Sequence, residues 1–246
     1  SFNQMADRLR NSIEILQREK NFLKNTISDI SHQLKTPLSS LIMLNDLILQ
    51  DENMEEEIQR DFLEKTSSQL DRMEWLIVNL LKIARIEAGA IEFKRDKIKA
   101  IEPINIALST LAMNIEKKSQ DVKVIGNLES SFYGDLNWTG EALINIIKNS
   151  IEHSPYGATI EINLEETPLF TSIKIKDYGE GIDKKDIAHI FERFYKVNSE
   201  IKPDSIGIGL NLSKLIVEAQ DGTISVKSEK GVGTEFIVTF LNLTKM

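Results

Sequence analysis

The 246-residue chain contains no cysteine. That absence excludes a disulfide scaffold, cysteine-ligated zinc and a thiol nucleophile, and is compatible with a reducing compartment. An excess of basic charge is missing too: 30 Lys and Arg stand against 38 Asp and Glu, a formal charge of −8. A general basic surface for nucleic acid is thereby excluded, and no direct nucleic-acid contact is expected. No apolar run reaches the roughly eighteen residues that a spanning helix needs, and no signal peptide leads the chain. The start, Ser1-Phe2-Asn3-Gln4, has no initiator Met and reads as the beginning of a fragment. Helix breakers are scarce at the front. Only Pro37 and Gly89 interrupt the first hundred residues, whereas ten of the twelve glycines follow residue 130. The length suits two compact units, and the glycine distribution makes them different in kind.

In the front half, apolar residues recur every seven positions in two registers. One runs Ala6, Ile13, Lys20, Ile27, Leu34, Leu41, Ile48; the other runs Phe2, Leu9, Leu16, Leu23, Ile30, Pro37, Leu44. Lys20 and Pro37 alone are out of type, so this is a sustained helical seam. Such a helix, about 70 Å long at 1.5 Å per residue, cannot hide its stripe within a small domain and predicts a parallel partner helix. After Gln50–Asn53 a second pattern begins. Leu63, Leu70, Ile77 and Ala84 interleave with Thr66, Met73 and Leu80, and Gly89 stands where a C′ glycine would close the helix. Two helices with a short connection form an antiparallel hairpin, and two hairpins form a four-helix bundle, hence a homodimer through residues 1–89. Met73 and Trp75 read as packing residues.

From Ile91 the character changes. Short β-like runs at Ile91–Phe93, Val122–Ile125, Thr159–Leu164, Thr171–Lys176, Thr223–Val226 and Phe236–Leu241 alternate with helical patterns. Those lie around Pro103–Lys118, Trp138–His153 and Leu210–Gln220. The expectation is an α/β sandwich with helices over one sheet face, residues 90–100 forming the boundary.

Several residues stand out for chemistry. His32 falls at the heptad position facing away from the seam, with Pro37 disturbing the backbone ladder nearby. Asn145 and Asn149 are four apart, on one helix face. An Asn carbonyl is a neutral hard oxygen that can hold Mg²⁺ without adding charge beside a triphosphate, although plain surface asparagines satisfy the same spacing. Asp177 follows a strand and precedes Gly179 and Gly181, a geometry that turns a carboxylate toward a cleft or simply makes a surface turn. Gly207 and Gly209 open an apolar helix at Leu210, whose N-terminal N–H groups suit a phosphate. No Gly-Lys-Ser/Thr follows, so this is not a Walker A loop.

In order along the chain, Ser31-His32-Gln33-Leu34-Lys35-Thr36-Pro37-Leu38, Glu141–Asn149, Asp177-Tyr178-Gly179-Glu180-Gly181-Ile182, Ile190–Tyr195, Ser205–Leu210 and Gly231–Phe236 resemble the phosphoacceptor, N, first glycine, F, second glycine and closing boxes of bacterial two-component sensor histidine kinases. The resemblance covers about residue 20 to the end. It implies a dimeric helical hairpin followed by an α/β sandwich ATP-binding domain of the type shared with topoisomerases and chaperones. The implied division is 1–24, the signal-transmitting end of a HAMP-like linker; 25–94, dimerisation and histidine phosphotransfer; and 95–246, catalytic ATP binding. Phe2-Asn3-Gln4-Met5 resembles the end of a linker that follows a transmembrane helix, so the resemblance implies a cytoplasmic portion of a membrane-anchored protein.

The implied reaction is transfer of the ATP γ-phosphoryl group to His32 and then to an Asp of a cognate response regulator. ATP and Mg²⁺ are the implied cofactors, with Asn149 on the metal and Asn145 in support. Asp177 would accept the adenine amine. Gly179, Gly181, Gly207, Gly209, Leu210 and Thr234 would line the nucleotide site. The polar stretch Lys196–Asp204, flanked by Phe194 and Tyr195, looks like a lid that orders on nucleotide binding. Ser205 departs from the usual glycine. His153 stands where a nucleotide contact and a helix C-terminal role are equally in keeping, and His189 reads as a solvated helix residue.

Gln33 is the main departure, because most relatives carry an acidic residue after the histidine. Its carbonyl can accept the ring's second N–H but cannot take the proton. Asp29, at i−3, or water would then supply basicity. Thr36, at i+4, matches the position implied to hold water for dephosphorylating the regulator. Two other readings stand beside this one: an ATPase of the same sandwich fold, which would want a Glu where Asn145 stands, and a degenerate docking module.

Overall fold

Heptad-spaced apolar residues with few breakers carry one helix, α1 (Phe2–Gln50), straight through Pro37. Proline lacks the N–H that would reach the carbonyl of Gln33, and the helix tolerates this with the Pro37 ring buried. The structure, a computed structural model, describes residues 2–50, 54–197 and 206–242, and for most positions before residue 27 the backbone only. The expected connection at 51–53 and the greater part of the expected lid, with Ser205, therefore lie outside the described residues. Among those described, no helix is long and apolar enough to cross a membrane.

A second helix, α2 (Glu56–Glu87), completes the helical hairpin. Gly89, at φ +63°, ends it as the composition suggests. The Gly89 N–H donates to the Ile86 carbonyl (3.0 Å) and the Ala90 N–H to the Arg85 carbonyl (2.9 Å), the two bonds of a Schellman cap. The chain divides into two compact units, Ser1–Val78 and Asn79–Met246, so the last turns of α2 belong to the second. In the first unit, Ile30, Leu34, Leu41, Leu44 and Ile48 are half-covered, as are Phe62, Thr66 and Met73. Leu63, Leu70 and Ile77, the other register of α2, are exposed, and so is Trp75, which the sequence suggested was packed.

The second unit is built on a five-stranded mixed sheet. It comprises β2 (Asp121–Gly126), β4 (Thr159–Glu166), β5 (Phe170–Asp177), β6 (Thr223–Glu229) and β7 (Gly233–Leu241), in the order β2-β4-β5-β7-β6. Only β2 and β4 run parallel. Period-two alternation points Ile160, Ile162, Leu164, Ile173, Ile175, Phe236, Val238 and Phe240 to one face, where all are buried. Helices α3 (Ile101–Lys117), α4 (Leu136–His153) and α6 (Gly209–Glu218) cover that face with Ile104, Leu143, Ile146, Ile147, Leu212 and Ile216. Each such side chain contributes about 1.5–3 kcal/mol by leaving water. The opposite face carries a cross-strand row of alternating charge, Lys123, Glu161, Lys176, Glu235 and Lys227.

Two short strands, β1 (Asp96–Lys99) and β3 (Ser131–Gly134), form a separate antiparallel pair, and a short helix, α5 (Lys184–Ile187), follows the Asp177 turn. Their polar, four-residue sequences carry too little periodicity to be recognised. Ile91–Phe93, expected to be β-like, is not a strand. Phe93 instead packs its ring on Trp138 with centroids 5.5 Å apart, and the Lys94 N–H donates to Asp135 Oδ2 (3.0 Å). Strand pairing begins only at Asp96, where β3 offers a partner.

Candidate functional site

In the first unit the His32 side chain is exposed on α1, as its outward heptad position requires. Thr36 Oγ1 donates to the His32 carbonyl oxygen (3.3 Å), the usual i−4 back-bond of a helical hydroxyl. Asp29 is exposed one turn earlier, and Gln33 is half-covered beside His32. The four residues therefore share one stretch of helix, with the imidazole exposed.

In the second unit, Asp177 ends β5 and is buried. Its Oδ1 accepts from the Gly179 N–H (3.0 Å) and from the Thr234 N–H (3.2 Å). Burial pushes the carboxyl above the ordinary carboxylate range, and those two N–H groups pull the other way. Glycine at 179 is what lets this junction close. A Cβ there would lie 2.2 Å from the His153 carbonyl oxygen, so the turn after β5 touches the end of α4 backbone to backbone. The turn through Gly181 is closed by the Gly231 N–H donating to the Glu180 carbonyl (2.7 Å).

His153, the last residue of α4, brings its Nδ1 to 2.6 Å from Glu180 Oε1. The end of α4 is itself held. Lys118 Nζ donates to the carbonyls of Ile151, Glu152 and Ser154 at 2.8, 2.8 and 2.9 Å. Gln120 Nε2 adds a bond to the Pro155 carbonyl at 2.9 Å. At the other end, the Asp135 side chain caps α4 by accepting from the Asn137 and Trp138 N–H groups.

Asn145 and Asn149 project from the middle of α4 and are half-covered. Gly209 starts α6 against Asn145: a Cβ at 209 would lie 3.3 Å from Asn145 Oδ1. Ser213 Oγ donates to the Ala142 carbonyl (2.9 Å) and ties α6 to α4. Gly207, at φ +78°, leaves no room for a side chain, because a Cβ would lie 2.6 Å from the Tyr195 carbonyl oxygen. The Phe194 N–H donates to the Gly207 carbonyl (2.8 Å), and Phe194 itself is held at φ +62°. Tyr195 donates its hydroxyl to Asp186 Oδ1 (2.6 Å), which pushes its ionisation upward. Leu210 is half-covered in the first turn of α6.

The tertiary structure thus joins Asp177, Gly179, Thr234, His153 and the Gly181 turn at one junction. It joins Asn145, Gly207, Gly209, Phe194 and Tyr195 at another. His189 is exposed, with Nδ1 2.7 Å from Glu192 Oε1. Sequence reasoning missed Lys118, Gln120, Glu180 and Ser150. The first two act on carbonyls more than thirty residues away, which no local pattern signals. Ser150 could have been singled out as a hydroxyl inside an apolar helix face. Among the described residues, no group of three or more His, Asp or Glu side chains could hold a metal ion.

Comparison with known proteins gives two domain matches. Residues 22–89 match the His Kinase A (phospho-acceptor) domain, and residues 134–245 match the histidine kinase-, DNA gyrase B- and HSP90-like ATPase domain. The chain is similar to the sensor histidine kinase YclK of Bacillus subtilis, with 31% identity over 242 residues, 96% of this chain and 50% of that protein. The chain therefore spans half the length of that relative. Among solved structures, the Acinetobacter baumannii histidine kinase AdeS superposes with a TM-score of 0.73 at 19% identity, covering 87% of this chain and 98% of that one. The histidine kinase ThkA in complex with the response regulator TrrA has a TM-score of 0.73 at 17% identity, covering 92% of this chain and 64% of that one. At those identities the superpositions show a shared fold.

Proposed function

We propose that this chain, which belongs to the sensor histidine kinase family, transfers the γ-phosphoryl group of ATP to His32 and from there to an aspartate of a response regulator. One observation carries the nucleotide reading: a buried carboxylate, Asp177, held by the Gly179 and Thr234 N–H groups in a junction that only glycine can close. An acceptor so placed suits the exocyclic amine of adenine. Gly207 and Gly209 at the start of α6 offer N–H groups to phosphate oxygens, and Asn145 of α4 stands next to that turn.

Asn149, with Asn145 in support, would hold Mg²⁺ through side-chain oxygens. This donor set is neutral, so nucleotide phosphates would complete the coordination. Bound there, the ion would neutralise charge on the β- and γ-phosphates. In the transfer, a neutral ring nitrogen of His32 forms the new N–P bond while the bond from the γ-phosphorus to the β-bridging oxygen breaks, releasing ADP. Gln33 accepts a hydrogen bond from the second ring N–H and orients it, and Asp29 or water takes the proton. Thr36 would position water for removal of phosphate from the regulator.

The functional division keeps a phosphotransfer hairpin at 25–94 and an ATP-binding domain at 95–246. The exposed register of α2 supports dimerisation through the hairpin. The ThkA–TrrA complex supports a response regulator as partner. Anchoring of a longer protein in a membrane belongs to the same proposal, supported by the linker-like residues 2–5. Incubation with Mg-ATP labelled at the γ-phosphate tests the reading. An acid-labile label on the protein, lost in His32→Ala, is the expected result. Steady phosphate release without label would replace the reading with an ATPase.

A further inference from the structure

Ser150 follows Asn149 on α4 and is completely buried. Its hydroxyl makes no hydrogen bond of normal length and angle. Other helical hydroxyls in this chain satisfy themselves by donating to the carbonyl four residues back: Ser31, Thr36, Thr66, Thr110 and Ser213 all do so. Ser150 forgoes that bond, which a buried hydroxyl in a helix would ordinarily take. The group it faces instead is the Asp177 carboxylate, whose ionisation it draws down against the upward pull of burial. Both backbone donors to this carboxylate, from Gly179 and Thr234, reach Oδ1, so Oδ2 is the oxygen left for further donors.

We propose that Ser150 is a specificity-determining residue of the nucleotide site, its hydroxyl poised to donate to Asp177 Oδ2 when a base binds and so to fix that oxygen as an acceptor for purines that carry a 6-amino group. The inference rests on Asp177 reading the base, as set out above. With Ser150 donating to it, the carboxylate is held in one orientation and presents lone pairs to the ligand. A 6-amino purine donates into them. A 6-oxo purine places a carbonyl oxygen against them, and two acceptors facing each other in a dry junction repel. Without the hydroxyl, Oδ2 loses its anchor, and the carboxylate recognises the amine less sharply.

The test compares ATP with inosine 5′-triphosphate, which differs at position 6 by an oxo group, by isothermal titration of wild type, Ser150→Ala and Ser150→Thr. In wild type ATP should bind more tightly. Ser150→Ala should weaken ATP about tenfold while changing inosine triphosphate less than twofold, consistent with loss of one hydrogen bond to a charged group. Ser150→Thr, which keeps the hydroxyl, should restore the discrimination. Equal weakening of both nucleotides in Ser150→Ala would make the role structural and overturn the inference, as would unchanged discrimination. A wild type that binds the two nucleotides equally would instead remove base reading by Asp177 itself.

Discussion

Asp177 combines two demands that oppose each other: the charge that the proposed base contact would use, and a place where water cannot solvate it. Its carboxyl is raised mainly by burial from the ordinary 3.8. A carboxyl raised in the folded state binds its proton more tightly there than in the unfolded chain. Stability therefore falls as pH rises from 3.8 through the folded value, and the full burial penalty is present at neutral pH. Asp177→Asn keeps an oxygen for the Gly179 and Thr234 N–H groups and removes the charge. The ligand-free thermal midpoint should rise at pH 7, with the gain vanishing below about pH 4. ATP affinity should fall by about 10- to 100-fold, since the replacement amide meets the base amine donor to donor. At this scale the sequence foretold placement, an exposed His32 on α1 and Asp177 at the end of a strand. Of Ser150 it offered only a hydroxyl inside an apolar helix face, and the partner proposed for it lies twenty-seven residues away on another element.

Helix α4 is the element on which the second unit turns. The Asp135 cap fixes its start, Asn145 and Asn149 occupy its middle, and Lys118 and Gln120 gather its last carbonyls. Unpaired carbonyls at a helix C-terminus need partners, and an ammonium placed among three of them also meets the negative end of the helix dipole. Lys118→Met retains the length of the side chain and loses these bonds. Urea denaturation should show a loss of about 2 kcal/mol, and nucleotide affinity should drop because His153 and the Gly179 turn lean on the same carbonyl end. Helices with a 3.6-residue pattern and strands with strict alternation could be read in advance to within a few residues. The short elements β1, β3 and α5 could not, because four residues carry no period. Ile91–Phe93 misled for a related reason: Phe93 packs on the Trp138 ring rather than against a strand partner.

Across the whole molecule, the two units have different unfinished business. The hairpin exposes Leu63, Leu70 and Ile77 at 55%, 54% and 44%, a heptad row with water on it. Rows of that kind are covered in a four-helix bundle. Leu70→Glu should convert a dimer into a monomer in sedimentation equilibrium and leave ATP affinity of the second unit unchanged. A dimer that survives the substitution would place the interface elsewhere. The sequence by itself determined the two-part architecture, the exposed histidine and the order of the nucleotide motifs, because each depends on periodicity or on residues adjacent in the chain. Only the tertiary structure decided that the last turns of α2 fold with the second unit, that His153 pairs with Glu180, and that the buried Ser150 hydroxyl is left without a hydrogen bond. These depend on which backbone segments come within a few ångströms of each other, and that is set by packing the whole core.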